Sequence, residues 1–444
     1  MMKLTLIWSS SFIMMNSMKM NKIFIQNMLF SSTIMIITLM NLCLTSMSNI
    51  YKYLSMDTLS FMLILLTLWI TNLMIMYMKN NSTKNLNFSL IITLLLILFL
   101  AFSSTNLFLF YLMFESSMIP TFYIIMFSGM NPERFTASMY MIMYMITSSM
   151  PLLVMIFSLM KINTLSFYII MTMNLKMSPI WFIMTIFAFL VKMPLFGIHM
   201  WLPKAHVEAP VYGSMILAAI LLKLGTYGII RMMFIMPYMF KKFSNWIFSI
   251  SLIGSIIISL MCLTQIDLKM IVAYSSVVHM NMSLCALLTM SMSSMISCFM
   301  SMISHGLCSS GLFFMVNLFY MNSNSRSMFI NKGLFKLNSS LMILWFILCM
   351  NNIGCPPSLN LMSEIMMIFS IISWNKFITP LIFLSCMLSS IYSIFLFIMP
   401  HHNNQLNKKF NMFYSTKLIN LINIILHTMP LNIMIMNLSL FSMY

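Results

Sequence analysis

The stretch Leu190-Val-Lys-Met-Pro-Leu-Phe-Gly-Ile-His-Met-Trp-Leu-Pro-Lys-Ala-His-Val-Glu-Ala-Pro210 puts a cation and a proline inside an apolar run of membrane-crossing length. That run starts near residue 179 and continues to Trp201, about the ~20 residues that a helical span needs. Pro194 removes one backbone N–H and displaces the carbonyl four residues back, so the carbonyl of Leu190 needs another partner. In lipid such a group is tolerated only against protein or enclosed water. Lys192, two residues before the proline, has the same need. The run around Asn352-Ile-Gly-Cys-Pro-Pro-Ser-Leu-Asn-Leu-Met-Ser-Glu364 repeats the pattern. Pro356–Pro357 interrupt it, the carbonyls of Asn352 and Ile353 lose their partners, and an acid follows two turns on.

Working outward, hydrophobic residues make up 61% of the 444 positions and charged residues 7%. So few charges cannot dress a water-exposed surface, so most of the surface faces lipid. Apolar segments fall at roughly 4–18, 23–47, 56–78, 87–104, 106–127, 133–159, 179–201, 208–236, 245–263, 267–290, 292–320, 339–373, 377–399 and 416–440. A backbone crossing lipid in segments of this length satisfies itself only as helix. The expected fold is therefore an all-α integral membrane bundle of about fourteen transmembrane helices. The net charge of +17 does not mark a nucleic-acid partner, because the cations are scattered singly through short loops. Lys and Arg number thirteen in the odd-numbered loops, Lys204, Lys269 and Arg326 among them, against seven on the other side. That bias places both termini on the outer side.

The two Pro-broken spans, seven and twelve, are five spans apart. Five is odd, so a repeat relating them is inverted, and paired interrupted helices in inverted halves point to a transport site. The expected organisation is three N-terminal spans over 1–86, a first repeat over 87–236, an inverted second repeat over 245–399, and a last span within 400–444. Two independent structural kinks are the plainer alternative.

Only six acids exist, so each is sorted individually. Asp57 opens span three, where a first-turn carboxylate complements the helix dipole. Asn131-Pro132-Glu133 reads as N-cap, first-turn proline and early acid for span six. Thr264-x-x-Asp267 resembles a capping box for span ten. Glu208 fits either a structural or a functional role. Glu115 and Glu364 lie within spans, as do Lys192 and Lys223. A charge at the bilayer centre costs ~2.5–3.5 kcal/mol on insertion scales, so these four need protein around them. Structural ion pairs are the bland explanation and a proton or cation path the functional one. His279 and His305 also fall at span centres, where imidazole accepts a proton on one nitrogen and releases it from the other.

Other chemistry is not legible. The cysteines at 43, 262, 285, 298, 308, 349, 355 and 386 form no Cys-x-x-Cys and read as small buried hydrophobes. No metal site, glycine-rich dinucleotide loop or P-loop is present in the sequence. Met reaches 61 positions while Arg occurs three times. Such usage fits an A+T-rich mitochondrial gene that reads AUA as Met, and no cleavable presequence is expected on such a product.

The stretch 190–210 closely resembles the signature of the antiporter-like, proton-pumping membrane subunits of respiratory NADH:ubiquinone oxidoreductase. Further support comes from Phe114-Glu-Ser-Ser-Met-Ile-Pro120, Leu221-Leu-Lys-Leu-Gly-Thr-Tyr-Gly-Ile-Ile-Arg231, Asp267-Leu-Lys-Met-Ile-Val-Ala-Tyr-Ser-Ser276, Ser304-His-Gly-Leu307 and Pro356-Pro-Ser-Leu-Asn-Leu-Met-Ser-Glu364. The likeness runs from about residue 55 to 400, and it diverges over Asn317–Arg326 before Arg326. It implies a fourteen-helix subunit of the mitochondrial inner membrane, with both termini toward the intermembrane space. It maps the family's charge pair onto Glu115 and Lys192, the central lysine onto Lys223, the linking histidine onto His305 and the exit-side acid onto Glu364. It implies no cofactor on this chain. NADH, FMN, iron–sulfur clusters and ubiquinone belong to partner subunits, among them neighbouring antiporter-like ones. A stand-alone cation/proton antiporter and a non-transporting scaffold subunit are the rival readings.

Overall fold

The computed structural model describes residues 26–34, 48–51, 54–78, 84–129, 131–160, 166–167, 178–333, 339–401 and 417–441. A short antiparallel hairpin, β1 (Ser48–Tyr51) and β2 (Leu54–Met56), precedes the helices. They are α1 (Thr58–Tyr77), α2 (Lys84–Ser103), α3 (Leu107–Ser116), α4 (Met118–Ser128), α5 (Arg134–Met160), α6 (Pro179–Lys192) and α7 (Trp201–Glu208). Then come α8 (Val211–Ile235), α9 (Pro237–Thr264), α10 (Leu268–Leu288), α11 (Met292–Ser323), α12 (Ser339–Ile353), α13 (Leu359–Trp374), α14 (Thr379–His401) and α15 (Leu418–Ile433).

Among the described residues ten helices are long and apolar enough to cross a membrane, taking α3 and α4 as one. Three shorter apolar helices, α6, α12 and α13, flank the two expected breaks. Expected spans three to fourteen therefore all fall on helix. The first lies outside the described residues, and of the second only 26–34 is described, as helix. Lys3, Lys19, Lys22, Lys52, Lys79, Lys161, Lys176, Lys336, Lys408 and Lys409 also lie outside, and with them much of the charge count across the loops. Of the counted loop cations, Lys204 lies on α7 and Lys241 and Lys242 on α9, and one more is corrected. Lys269 sits in the first turn of α10 and is buried.

Chain contacts divide the molecule into two compact units. The first holds residues 1–192, 208–242 and 440–444, and the second 193–207 and 243–439. In the first unit α6 packs on α5 and α8, and α2 on α1, α3 and α4. In the second α11 packs on α10, α12, α13 and α15. The most apolar stretches of α8 and α11 are wholly buried, whereas less than a third of those of α14 and α15 is. This is the arrangement expected when lipid rather than water meets the outer helices.

Both units carry the same local device at a constant spacing. Asn106, ahead of α3, bridges to Ser166, and Asp267, ahead of α10, bridges to Ser327. Both residues of the second unit's bridge stand 161 residues after their counterparts, and the last residue of α12, Ile353, stands 161 after that of α6, Lys192.

The expected breaks exist. Helix α6 stops at Lys192, and turns occupy 193–200 before α7 begins. Between α12 and α13, Gly354 takes φ +80°, a left-handed conformation that favours glycine. Asn360 Nδ2 donates to the carbonyl of Asn351 at 2.6 Å. The carbonyl met by a side chain is thus one residue earlier than the pair expected from the proline positions. A further break escaped the sequence reading. The apolar run 107–128 is interrupted at Ser117, three residues before Pro120, which splits it into α3 and α4.

Two capping expectations are corrected. Helix α5 begins at Arg134, and the Asn131 side chain donates instead to Glu208 Oε1 at 3.1 Å. Thr264 belongs to the last turn of α9 and donates to the carbonyl of Met261, while Asp267 makes no side-chain cap bond. Asp57 does cap α1, in a reciprocal arrangement with Ser60.

Gly228 sets the approach of α8 to α6, because a Cβ there would lie 2.3 Å from the Phe189 ring. Gly228→Ala is expected to destabilise the protein by ~1–3 kcal/mol through overpacking. Thermal unfolding of the solubilised protein reads this as a midpoint lowered by several degrees. An unchanged midpoint would mean that α6 and α8 do not meet at this residue.

Candidate functional site

In the first unit the charges gather where helices are irregular. Lys192, with 1% of its surface exposed, is the last residue of α6, where the dipole favours a cation. Its Nζ donates to the carbonyl of Phe114 at 2.9 Å and lies 3.4 Å from Ser117 Oγ, next to the α3–α4 break. The Phe114 ring is under the ammonium at 3.2 Å, a cation–π contact in a desolvated setting. Glu115 is the next residue along. It makes no ion pair within 4 Å of Lys192, so the two interact through space while the lysine is held by backbone. The acid borders a cleft of about 390 Å³ between α3, α4 and α5, lined by Leu112, Ser116, Ile119, Tyr123 and Ile146.

Lys223 is fully buried in α8. The turn before it, Leu217–Leu221, is π-helical, and Lys223 Nζ donates to the Ala218 carbonyl at 2.7 Å. A widened turn loosens the backbone ladder and makes such a carbonyl accessible, and π turns recur at functional positions. Lys223, Tyr227 and Arg231 follow at four-residue intervals, one stripe of the helix. Tyr227 Oη donates to the Phe102 carbonyl at 3.1 Å. Arg231 pairs with Asp57 at 2.5 Å and lies 4.9 Å from the Tyr227 ring. Asp57 and Arg231 together fasten the far end of the helix that carries Lys223.

In the second unit three predicted residues come together. His279 Nδ1 lies 3.7 Å from Glu364 Oε1, and the rings of His279 and His305 are 5.7 Å apart. Glu364 reaches back to the α12–α13 break, where a Cβ on Gly354 would meet its Oε2 at 2.7 Å. Val278, His279, Glu364, Ser385, Cys386 and Ser389 line an open cavity of about 30 Å³, room for one or two water molecules. A member that sequence reasoning missed is Tyr392 of α14, whose hydroxyl is 3.3 Å from His279 Nε2. Its signal was a lone phenol among the apolar residues of a span. Arg326, the end of the diverged segment, donates to the Val207 carbonyl at 2.9 Å and so closes the end of α7. Among the described residues no three His, Cys, Asp or Glu side chains gather as a metal site.

The predicted residues therefore fall into two groups. Glu115, Lys192 and Lys223 belong to the first unit, and His279, His305 and Glu364 to the second. Each group sets ionisable side chains near one another, with Lys192, Lys223 and His305 buried and Glu115, His279 and Glu364 partly exposed, an arrangement able to hold and pass protons.

Residues 104–391 match the family model described as NADH:quinone oxidoreductase/Mrp antiporter, TM. The chain is 44% identical over 421 residues to NADH-ubiquinone oxidoreductase chain 4 of Ceratitis capitata, covering 93% of each. It is 40% identical over 407 residues to the protein of that name from Apis mellifera ligustica, covering 91% of this chain and 90% of that one. Its fold is similar to a chain of respiratory complex I from Thermus thermophilus with bound NADH, with TM-score 0.82, 17% identity and 99% of both chains covered. It is also similar to a chain of the archaeal membrane-bound sulfane sulfur reductase, with TM-score 0.85, 16% identity, 97% of this chain and 75% of that one covered.

Gly354→Ala places a methyl group against the Glu364 carboxylate and forces an L residue into a left-handed conformation. The expected result is a destabilisation of ~1–2 kcal/mol and a shifted Glu364 carboxyl band in the infrared difference spectrum between low and high pH. A band unchanged in position would show that the carboxylate does not rest on this break.

Proposed function

The chain belongs to the NADH:quinone oxidoreductase/Mrp antiporter transmembrane family, and from that premise we propose that it is a proton-translocating core membrane subunit of mitochondrial NADH:ubiquinone oxidoreductase. Likeness over nine-tenths of the length of a relative carrying that name supports this reading. The observation that carries the mechanism is the Lys192 ammonium seated on the Phe114 carbonyl, beside but not bonded to Glu115. A lysine held by backbone keeps its proton or gives it up according to how strongly the nearby acid is felt.

The mechanism runs in two stages. In the first unit, redox energy released elsewhere in the complex changes the Glu115–Lys192 interaction. A closer acid holds the proton on Lys192, and a more distant one lets it go to Lys223. In the second unit His305 and His279 hand a proton to Glu364, from which it leaves through the water-sized cavity. Moving one charge against the membrane potential takes ~2.3 kcal/mol per 100 mV. A change of about two pKa units along the path supplies a comparable amount. The bridges and helix ends that recur 161 residues apart fit two repeats near 87–236 and 245–399, with 1–86 and 400–444 as flanking parts.

The same reading assigns the remaining components. NADH, FMN, iron–sulfur clusters and ubiquinone are bound by partner subunits. The neighbours of this chain include other antiporter-like subunits and lipid. The termini face the intermembrane space of the inner mitochondrial membrane. Relatives named as chain 4 of the oxidoreductase favour this reading over a stand-alone cation/proton antiporter. A scaffold subunit would tolerate loss of its buried charges.

Lys223→Ala in the assembled complex is expected to lower proton pumping and coupled NADH oxidation by roughly a hundredfold, the range for loss of a proton-transferring side chain. The measurement is dye-reported acidification of sealed vesicles together with NADH consumption, per assembled complex. Full pumping in the variant would overturn the proposal.

A further inference from the structure

We propose that Tyr392 is a positioning residue for the release stage, holding His279 so that only its Nδ1 exchanges protons with Glu364. The inference rests on the proton-path reading and extends it to a residue that no motif picks out. Tyr392 is fully buried on α14, and its hydroxyl lies 3.3 Å from His279 Nε2. On the other edge of the same ring, Nδ1 lies 3.7 Å from Glu364 Oε1, an ion-pair distance that a small ring movement shortens to a hydrogen bond. One imidazole therefore stands between a phenol and a carboxylate, one on each nitrogen.

Such an arrangement fixes the direction of transfer. When His279 is an imidazolium, Nε2–H donates to the phenol oxygen and Nδ1–H faces the carboxylate. The Nδ1–H bond then breaks, an O–H bond forms on Glu364, and imidazolium and carboxylate become a neutral pair. Nε2–H remains on the phenol oxygen throughout, so the imidazole left behind presents a bare Nδ1 for the next proton. Without the phenol no hydrogen bond on Nε2 selects which nitrogen of His279 keeps the proton. The other titratable groups around this cluster are His305 and Cys308 on α11, Cys386 on α14 and Cys262 on α9. They are thiols and an imidazole, and Glu364 is the acid that faces His279.

The test is Tyr392→Phe in the assembled complex, which keeps the ring and removes the hydroxyl. Coupled pumping per assembled complex is measured from pH 5.5 to 9, with Lys223→Ala alongside. The expected result is a fall of about tenfold, the worth of one hydrogen bond to a buried group, with one limb of the pH profile displaced by about one unit. A uniform fall with an unmoved profile would mean that Tyr392 only packs, and it would overturn the inference. So would unchanged pumping while Lys223→Ala is impaired. If Lys223→Ala is silent as well, the proton-path reading itself fails.

Discussion

A charge buried in a lipid-embedded bundle needs polar partners, and a regular helix offers few, because its own ladder already occupies every N–H and one lone pair of every carbonyl. This constraint organises the whole molecule. Lys192 takes the carbonyl of Phe114 beside the break at Ser117. Lys223 takes the carbonyl of Ala218 in a π-helical turn. Glu364 lies close over Gly354 in the break between α12 and α13, with His279 as its polar neighbour. Each irregularity in a helix would be unfavourable alone, and so would each charge. Together they satisfy one another.

Holding charges with backbone has a functional consequence. An ion pair locks both partners in their charged forms, and removing either partner leaves the other stranded. A carbonyl is a weaker and fixed acceptor, so a lysine seated on it remains responsive to a distant acid. Glu115 is that acid in the first unit. The second unit uses another solution, an imidazole between a phenol and a carboxylate, where the proton can change sides without any group losing its partner. The rigid parts are elsewhere. The Asp57–Arg231 pair and the contact of Gly228 with Phe189 hold α8, and with it Lys223, in place.

Much of this was legible from residue order alone. Apolar length located every span that the structure describes, and proline placed the breaks at 194 and 356–357. The scarcity of acids made Glu115 and Glu364 conspicuous. These signals are local and are written in consecutive residues. What escaped the sequence depends on tertiary partners. Arg231 meets Asp57 across 174 positions, and Tyr392 meets His279 across 113. The π turn at 217–221 has no proline or glycine to announce it. Pro120 was visible, but the break it accompanies at Ser117 acquires meaning only through Lys192. The capping readings at 131 and 267 failed because Asn131 had a stronger partner in Glu208 and Thr264 belonged to the preceding helix.

The central claim is that the two groups of ionisable residues are stages of one proton path. Its most direct test is a comparison of Lys192→Met, Glu364→Gln and the double variant, each assembled in the complex and assayed for protons moved per NADH in sealed vesicles. Stages in series are non-additive, so the account predicts that each single variant stops pumping as fully as the double one. Single variants that retain pumping, or losses that multiply in the double variant as for independent structural damage, would contradict it.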